Sequence, residues 1–187
     1  MSAVQPGQAI LVKSGTYSGD LNITKSGTNG NQITLMGETG TKLVTTKSQS
    51  NASVEISASY VTLKNFDITG NVYIRGHFNV VDNNYIHDGW RDSGVNVSAS
   101  SRNSTDCTNN TVSNNKIERA FKSGIYLEGQ FHKMLNNDIS HIRDNLPDGS
   151  DQSDADGMRF FGSGHLVKGN YIHDIWQSEM TGLPHMI

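Results

Sequence analysis

Hydrophobic and polar positions along the chain fall into a recurring six-residue phrase: apolar, any, Asn, Asn, any, Ile. It reads Val81-Asp-Asn-Asn-Tyr-Ile86, Val112-Ser-Asn-Asn-Lys-Ile117 and Met134-Leu-Asn-Asn-Asp-Ile139. Looser copies are Leu63-Lys-Asn-Phe-Asp-Ile68 and Val167-Lys-Gly-Asn-Tyr-Ile172. The five copies start 18, 31, 22 and 33 residues apart, an internal repeat of variable length. A second phrase lies between them, a small or turn residue followed by apolar-x-apolar: Asn71-Val-Tyr-Ile74, Gly94-Val-Asn-Val97, Gly124-Ile-Tyr-Leu127 and Gly157-Met-Arg-Phe160. Six residues separate it from the next asparagine phrase in three coils, and fourteen in the coil holding Gly94. Alternating inward and outward residues predict at least two short strands per coil. Coils of roughly twenty residues with strands at fixed places stack as a parallel β-helix, about 4.8 Å per coil.

Asparagine suits the corners of such a solenoid. It accepts left-handed backbone more cheaply than other non-glycine residues, and stacked amides can bond up a column. Gly169, in the place of the first Asn of the last copy, meets the same need. The phrase therefore predicts that Asn83, Asn114 and Asn136 stack as neighbours. It also predicts that Ile68, Ile86, Ile117, Ile139 and Ile172 form one buried column. The expected fold is all-β, a right-handed parallel β-helix of six to eight coils spanning 1–187, the hand following the crossover rule.

Composition fits a narrow core. Only 34% of residues are apolar, Gly is frequent at 19 and Pro scarce at 3. A net charge of −3 argues against a nucleic-acid surface, and no apolar run is long enough to span a membrane. Cys107 has no partner for an internal disulfide and, in a Ser/Thr/Asn loop with no base in view, is not a credible nucleophile. Ahead of the repeats, Ala9–Val12, Asp20–Ile23, Gln32–Leu35 and Lys42–Thr45 read as strands. Ser14-Gly-Thr-Tyr17 reads as a turn.

Two long corners, Ser98–Thr111 and Ser140–Asp156, break the spacing without serving the core. Long loops on a rigid scaffold are where binding and chemistry concentrate. The second carries Asp144, Asp148, Asp151, Asp154 and Asp156 within thirteen positions. Carboxylates so dense repel one another unless a cation intervenes, and hard oxygen ligands on a turning backbone suit Ca²⁺. The bland alternative is a solvated acidic loop. The outward column of the second phrase is Glu55, Tyr73, Asn96, Tyr126 and Arg159, with Arg75 and Glu128 beside it and Arg91, Asp92 and Lys122 just before the strand. Rings and cations on one solenoid face suit an extended acidic sugar chain, although an ordinary exposed sheet face has similar content. The near copies Tyr85-Ile-His-Asp-Gly-Trp90 and Tyr171-Ile-His-Asp-Ile-Trp176 read as a corner-packing motif, because one active site does not need two copies.

The opening "PGQAILVKSGTYSGDLNI", followed by "SGTNGNQITLMGE", resembles the start of secreted bacterial parallel β-helix proteins, the alginate lyase and chondroitinase B group of polysaccharide lyases among them. The stretch "DADGMRF" resembles the Ala-Asp-Gly-Phe segment near the calcium site of family 9 pectate lyases. Asp156 matches that segment best, with Asp154 and Asp148 beside it. The family's catalytic lysine would lie past Ile187 or is absent.

These resemblances imply a secreted or periplasmic bacterial protein acting on a uronate-containing polysaccharide by β-elimination. Lys122 and Arg159 are then the candidates for base and carboxylate neutraliser, and Tyr73, Arg91 and Tyr126 for substrate binding. The five aspartates are candidates for a Ca²⁺ site. The rivals are a hydrolase, which needs two facing carboxylates, and a non-catalytic polysaccharide-binding or tailspike-like β-helix. A third is an inactive fragment of a larger enzyme, in which self-association through the C-terminal edge would cover an open coil.

Overall fold

The computed structural model describes residues 4–45, 54–90, 92–144 and 154–176. Among these, twenty short strands stack into three sheets. The first sheet comprises β1 (Ala9–Val12), β4 (Ile33–Gly37), β7 (Val61–Lys64), β10 (Val80–Asp82), β13 (Thr111–Ser113), β16 (Lys133–Leu135) and β19 (Leu166–Lys168). The second comprises β2 (Gly15–Ser18), β5 (Thr41–Val44), β8 (Asp67–Thr69), β11 (Tyr85–His87), β14 (Lys116–Glu118), β17 (Asp138–Ser140) and β20 (Tyr171–His173). The third comprises β3 (Leu21–Ile23), β6 (Val54–Ile56), β9 (Val72–Ile74), β12 (Val95–Val97), β15 (Ser123–Leu127) and β18 (Asp156–Phe160). Neighbours in each sheet are successive coils paired in parallel, so the chain is a parallel β-helix.

The asparagine phrase is a corner. Its first apolar residue lies in the first sheet, its Ile in the second, and the two asparagines turn the chain between them. The first of the pair is left-handed in each coil: Asn65, Asn83, Asn114 and Asn136 have φ between 52° and 64°, and Gly169 has 70°. They stack as expected, with Asn83 Nδ2 donating to Asn65 Oδ1 at 2.9 Å. At Gly169 a Cβ would come within 2.3 Å of Asn136 Oδ1, which a side chain there would have to displace. The second of the pair forms a buried ladder. Nδ2 of Asn84, Asn115 and Asn137 donates to Oδ1 of the next asparagine at 3.1, 3.0 and 2.8 Å, ending on Asn170. The same oxygens accept backbone N–H groups, so the corner amides of the interior are satisfied.

Ile68, Ile86, Ile117 and Ile139 are fully buried in register. Ile172 aligns with Ile139 but is 44% exposed, because no described coil covers the last one. Residues 177–187, and with them the expectation about the C-terminal edge, lie outside the described residues. The column packs on glycine. A Cβ on Gly94, Gly124 or Gly157 would lie 2.5, 2.3 and 2.3 Å from Cγ2 of Ile117, Ile139 and Ile172. The small residue opening the second phrase is thus the space into which the isoleucine methyl fits.

The expectation of a turn at Ser14–Tyr17 is corrected. Gly15–Ser18 is strand β2, paired with β5. All four of its residues are exposed, so it shows no inward apolar residue to read.

Candidate functional site

The outer face of the third sheet carries the column read from the sequence. Glu55, Tyr73, Asn96, Tyr126 and Arg159 are successive neighbours on β6, β9, β12, β15 and β18. They point outward because their flanking residues, Val72, Ile74, Val95, Val97, Ile125 and Leu127, fill the core. On this face lies a groove of about 400 Å³ lined by Tyr73, Asp92, Ser93, Asn96, Ser98, Lys122, Ser123, Tyr126, Glu128 and Arg159. The structure therefore brings together Tyr73, Tyr126, Lys122 and Arg159, four of the five non-metal candidates. Arg91 lies outside the described residues.

Several groove side chains are held by their neighbours. Asp92 accepts the Tyr73 hydroxyl, its own coil's Ser93 N–H at 2.8 Å and Asn96 Nδ2 at 3.3 Å. Asn71 Nδ2 grips the same turn, donating to the carbonyls of Asp92 and Ser93 at 2.9 and 2.7 Å. Burial, and then the Asp92 charge, raises the Tyr73 phenol, which stays protonated as a donor. Tyr126 donates to Glu128 Oε1 at 2.7 Å, and burial and that carboxylate raise its pKa too. Lys122 has left-handed backbone, φ 70°, pinned by Lys122 N to Arg143 O at 3.0 Å and Asp156 N to Lys122 O at 2.7 Å. No carboxylate lies within ion-pair distance of its ammonium among the described residues.

Arg159 sits between two aspartates of the acidic loop, 3.5 Å from Asp154 and 3.6 Å from Asp156. Burial raises the Asp156 carboxyl, opposed by Arg159 and reinforced by Asp154. Asp144 is buried away from solvent. Asp148 and Asp151 lie outside the described residues, among which no three acidic, His or Cys groups gather around one point. The Arg159 guanidinium contacts both Asp154 and Asp156, so a metal there would compete with it.

Two residues beside the groove, Arg102 and Phe161, escaped the sequence reading. The long corner after β12 folds back, held by Asp106, which accepts Ser100 N–H at 3.1 Å, and by Gly129 N to Arg102 O at 3.0 Å. It sets the Arg102 guanidinium 3.9 Å from the Phe161 ring centroid, with Arg159 6.0 Å from the same ring. Phe161 in turn lies 5.7 Å from the Tyr126 ring. The fourteen-residue gap after Val97 was the available signal. It marked the loop but not which of its residues packs on Phe161.

Behind the groove's edge runs a second buried ladder. Asn79 Oδ1, Asn110 Oδ1, His132 Nδ1 and His165 Nδ1 accept the backbone N–H of Val61, Asn79, Asn110 and His132 at 2.9–3.2 Å. The other ring nitrogens, as N–H donors, reach Glu128 O at 2.9 Å and Phe161 O at 2.8 Å. These bonds select the Nε2–H tautomer of both rings. Burial pushes His132 down to about 4.

The two His-Asp copies are structural and lie on the second sheet, off the groove. His87 bridges Asp67 at 2.8 Å and Asp88 at 2.5 Å; His173 bridges Asp138 at 3.0 Å and Asp174 at 2.7 Å. Arg119 closes the first copy onto Asp88 and Glu118. Cys107 is buried beside Gly76 O at 3.3 Å and pushed up to about 12 by burial and then Asp106, so it is inert as a thiolate.

No protein-family model and no curated protein matches the sequence. Solved structures do. A pectate lyase, Pel9A, superposes with TM-score 0.72 at 18% identity over 96% of this chain and 49% of its own. The chain has the pectate-lyase-like parallel β-helix fold. An alginate lyase from Paenibacillus sp. str. FPU-7 superposes with TM-score 0.67 and 14% identity over 91% of this chain and 61% of its own. A rhamnogalacturonan lyase gives 0.57 and 14% over 93% and 62%. The chain thus spans about half to three fifths of their lengths. Both resemblances read from the sequence are met at the level of fold.

Proposed function

We propose that this chain acts on an acidic, uronate-containing polysaccharide by β-elimination in the groove of the third sheet. The observation that carries the reading is the meeting of Lys122, Arg159, Tyr73 and Tyr126 on one open face. Arg159, with Arg102 across the Phe161 ring, supplies positive charge for a uronate carboxylate, which lowers the pKa of the C5 proton. Lys122 takes that proton. The C5 electrons form the C4–C5 double bond, and the C4–O bond breaks toward the leaving sugar, whose oxygen takes a proton from solvent. The tyrosines carry apolar sugar faces. Ca²⁺ belongs to the same proposal: Asp154 and Asp156 are the described carboxylates that would hold it, in place of the Arg159 guanidinium they now contact, and it would add positive charge beside the sugar carboxylate. A secreted or periplasmic setting suits such a substrate.

Asp92 and Glu128 both line the groove, which favours hydrolysis as the second reading. Incubation with polygalacturonate, alginate and rhamnogalacturonan separates the two. Elimination gives ultraviolet-absorbing unsaturated ends; hydrolysis gives reducing ends without them. Binding without either product would overturn both.

A further inference from the structure

The corner between the third and first sheets differs from the asparagine corner. In successive coils its left-handed position holds Tyr60, Phe78, Asn109, Phe131 and Gly164, with φ between 55° and 73°. The asparagine corner fills the equivalent place with asparagine or glycine throughout. Bulky rings are costly in this conformation, and such outliers concentrate where they serve function. The rings are not core. Phe78 is 40% and Phe131 52% exposed.

Their arrangement leaves a gap. Phe78 stacks on Tyr60 at 4.9 Å, one coil toward the N-terminus. Phe131 leans the opposite way, over Gly164, whose missing Cβ would come within 2.4 Å of its ring. Between them lies the coil of Asn109. Two coil steps make the gap about 10 Å high. A chair-shaped sugar packs on a ring plane at about 4 Å, so one pyranose enters with room to spare and stacks on either ring. The floor is polar: Asn109 Nδ2 and His77 Nδ1 meet at the Thr108 hydroxyl, 2.9 and 3.1 Å away. Apolar walls and a hydrogen-bonding floor match the C–H faces and hydroxyl rim of a sugar, not the uniform apolar face of a second protein. The corner follows the third sheet directly: Phe131 comes three residues after the groove residue Glu128, and Phe78 three after Arg75.

We infer that the gap between Phe78 and Phe131 is a second carbohydrate site, which takes one pyranose of a polysaccharide chain outside the cleavage groove. It shares with the proposed function only the class of ligand. Because the site reads apolar faces, it accepts neutral as well as acidic sugars.

Native gels cast with polygalacturonate or with neutral galactan test it. Phe78→Asn and Phe131→Asn install the residue that the other corner uses, so melting temperature should hold or rise. Retardation in both gels should weaken at least about threefold, the loss of a ring contact. Phe131→Leu keeps apolar bulk without a ring and should weaken it equally; Phe131→Tyr should preserve it. Lys122→Ala with Arg159→Ala should leave galactan retardation intact. Retardation unchanged in the Asn or Leu variants would overturn the inference, as would no retardation of the parent in either gel. Lost retardation in the Asn variants with unsaturated product absent from the parent would sink the elimination reading and leave this one standing.

Discussion

At the scale of single residues, stability is tied to pH at His132. Its ring is buried and takes Asn110 N–H at Nδ1, which only the neutral form can do. Protonation would also set it against its neighbours His165 and His77. The folded pKa of about 4 lies below the ordinary value of about 6.5. The neutral imidazole therefore contributes stability that is fully present above pH ~6.5 and lost as pH falls toward 4. The contribution is roughly 3 kcal/mol. His132→Asn, the ladder residue one coil earlier, does not titrate. Urea melts between pH 7 and pH 4 should show the parent losing stability across that window and the variant losing much less. A parallel loss in both would place the acid sensitivity elsewhere. Asp88 and Glu118 act lower: hydrogen bonds from Arg119 hold Asp88 near 2, and those from Tyr85, Lys116 and Arg119 outweigh burial to do the same for Glu118. Their share is lost only as pH falls from about 4 toward 2. The asparagine corner was legible because left-handed backbone restricts residue choice. The histidine ladder was not, because His132 and His165 share no letter with Asn79 and Asn110, only an acceptor aimed at the same place.

At the scale of elements, the fold rests on isoleucine against glycine. Ile117→Ala removes a fully buried side chain and should cost roughly 2–5 kcal/mol in chemical denaturation. Gly124→Ala adds one methyl within 2.3 Å of Ile139 Cγ2 and 2.6 Å of Gly157 O, and should cost about 1–3 kcal/mol. A neutral Gly124→Ala would mean that the column is looser than drawn. The repeat was readable here because both partners recur at fixed places. Strand β2 was hidden by having no buried residue, and the Arg102–Phe161 contact by joining positions with no shared period. The outward column was readable because β9, β12, β15 and β18 alternate without bulges through Tyr73, Asn96, Tyr126 and Arg159.

At the scale of the whole molecule, the solenoid presents a grooved face with Asp154 and Asp156 beside Arg159 at its edge. Calorimetric titration with Ca²⁺ should release or absorb heat, and chelator should lower the melting temperature, if those aspartates take the ion. No heat and no shift would leave Asp154 and Asp156 as partners of Arg159 alone. The central claim is that Lys122 and Arg159 act on an acidic sugar in the groove. The most direct measurement is the initial rate of unsaturated uronate formation on the best of the three polysaccharides, for the parent and for Lys122→Ala, with circular dichroism confirming the fold. Removing a general base should slow the reaction by about 10²–10⁴-fold while the melting temperature is kept. An equal rate in parent and variant, or no unsaturated product from the parent on any of the three substrates, would contradict the account.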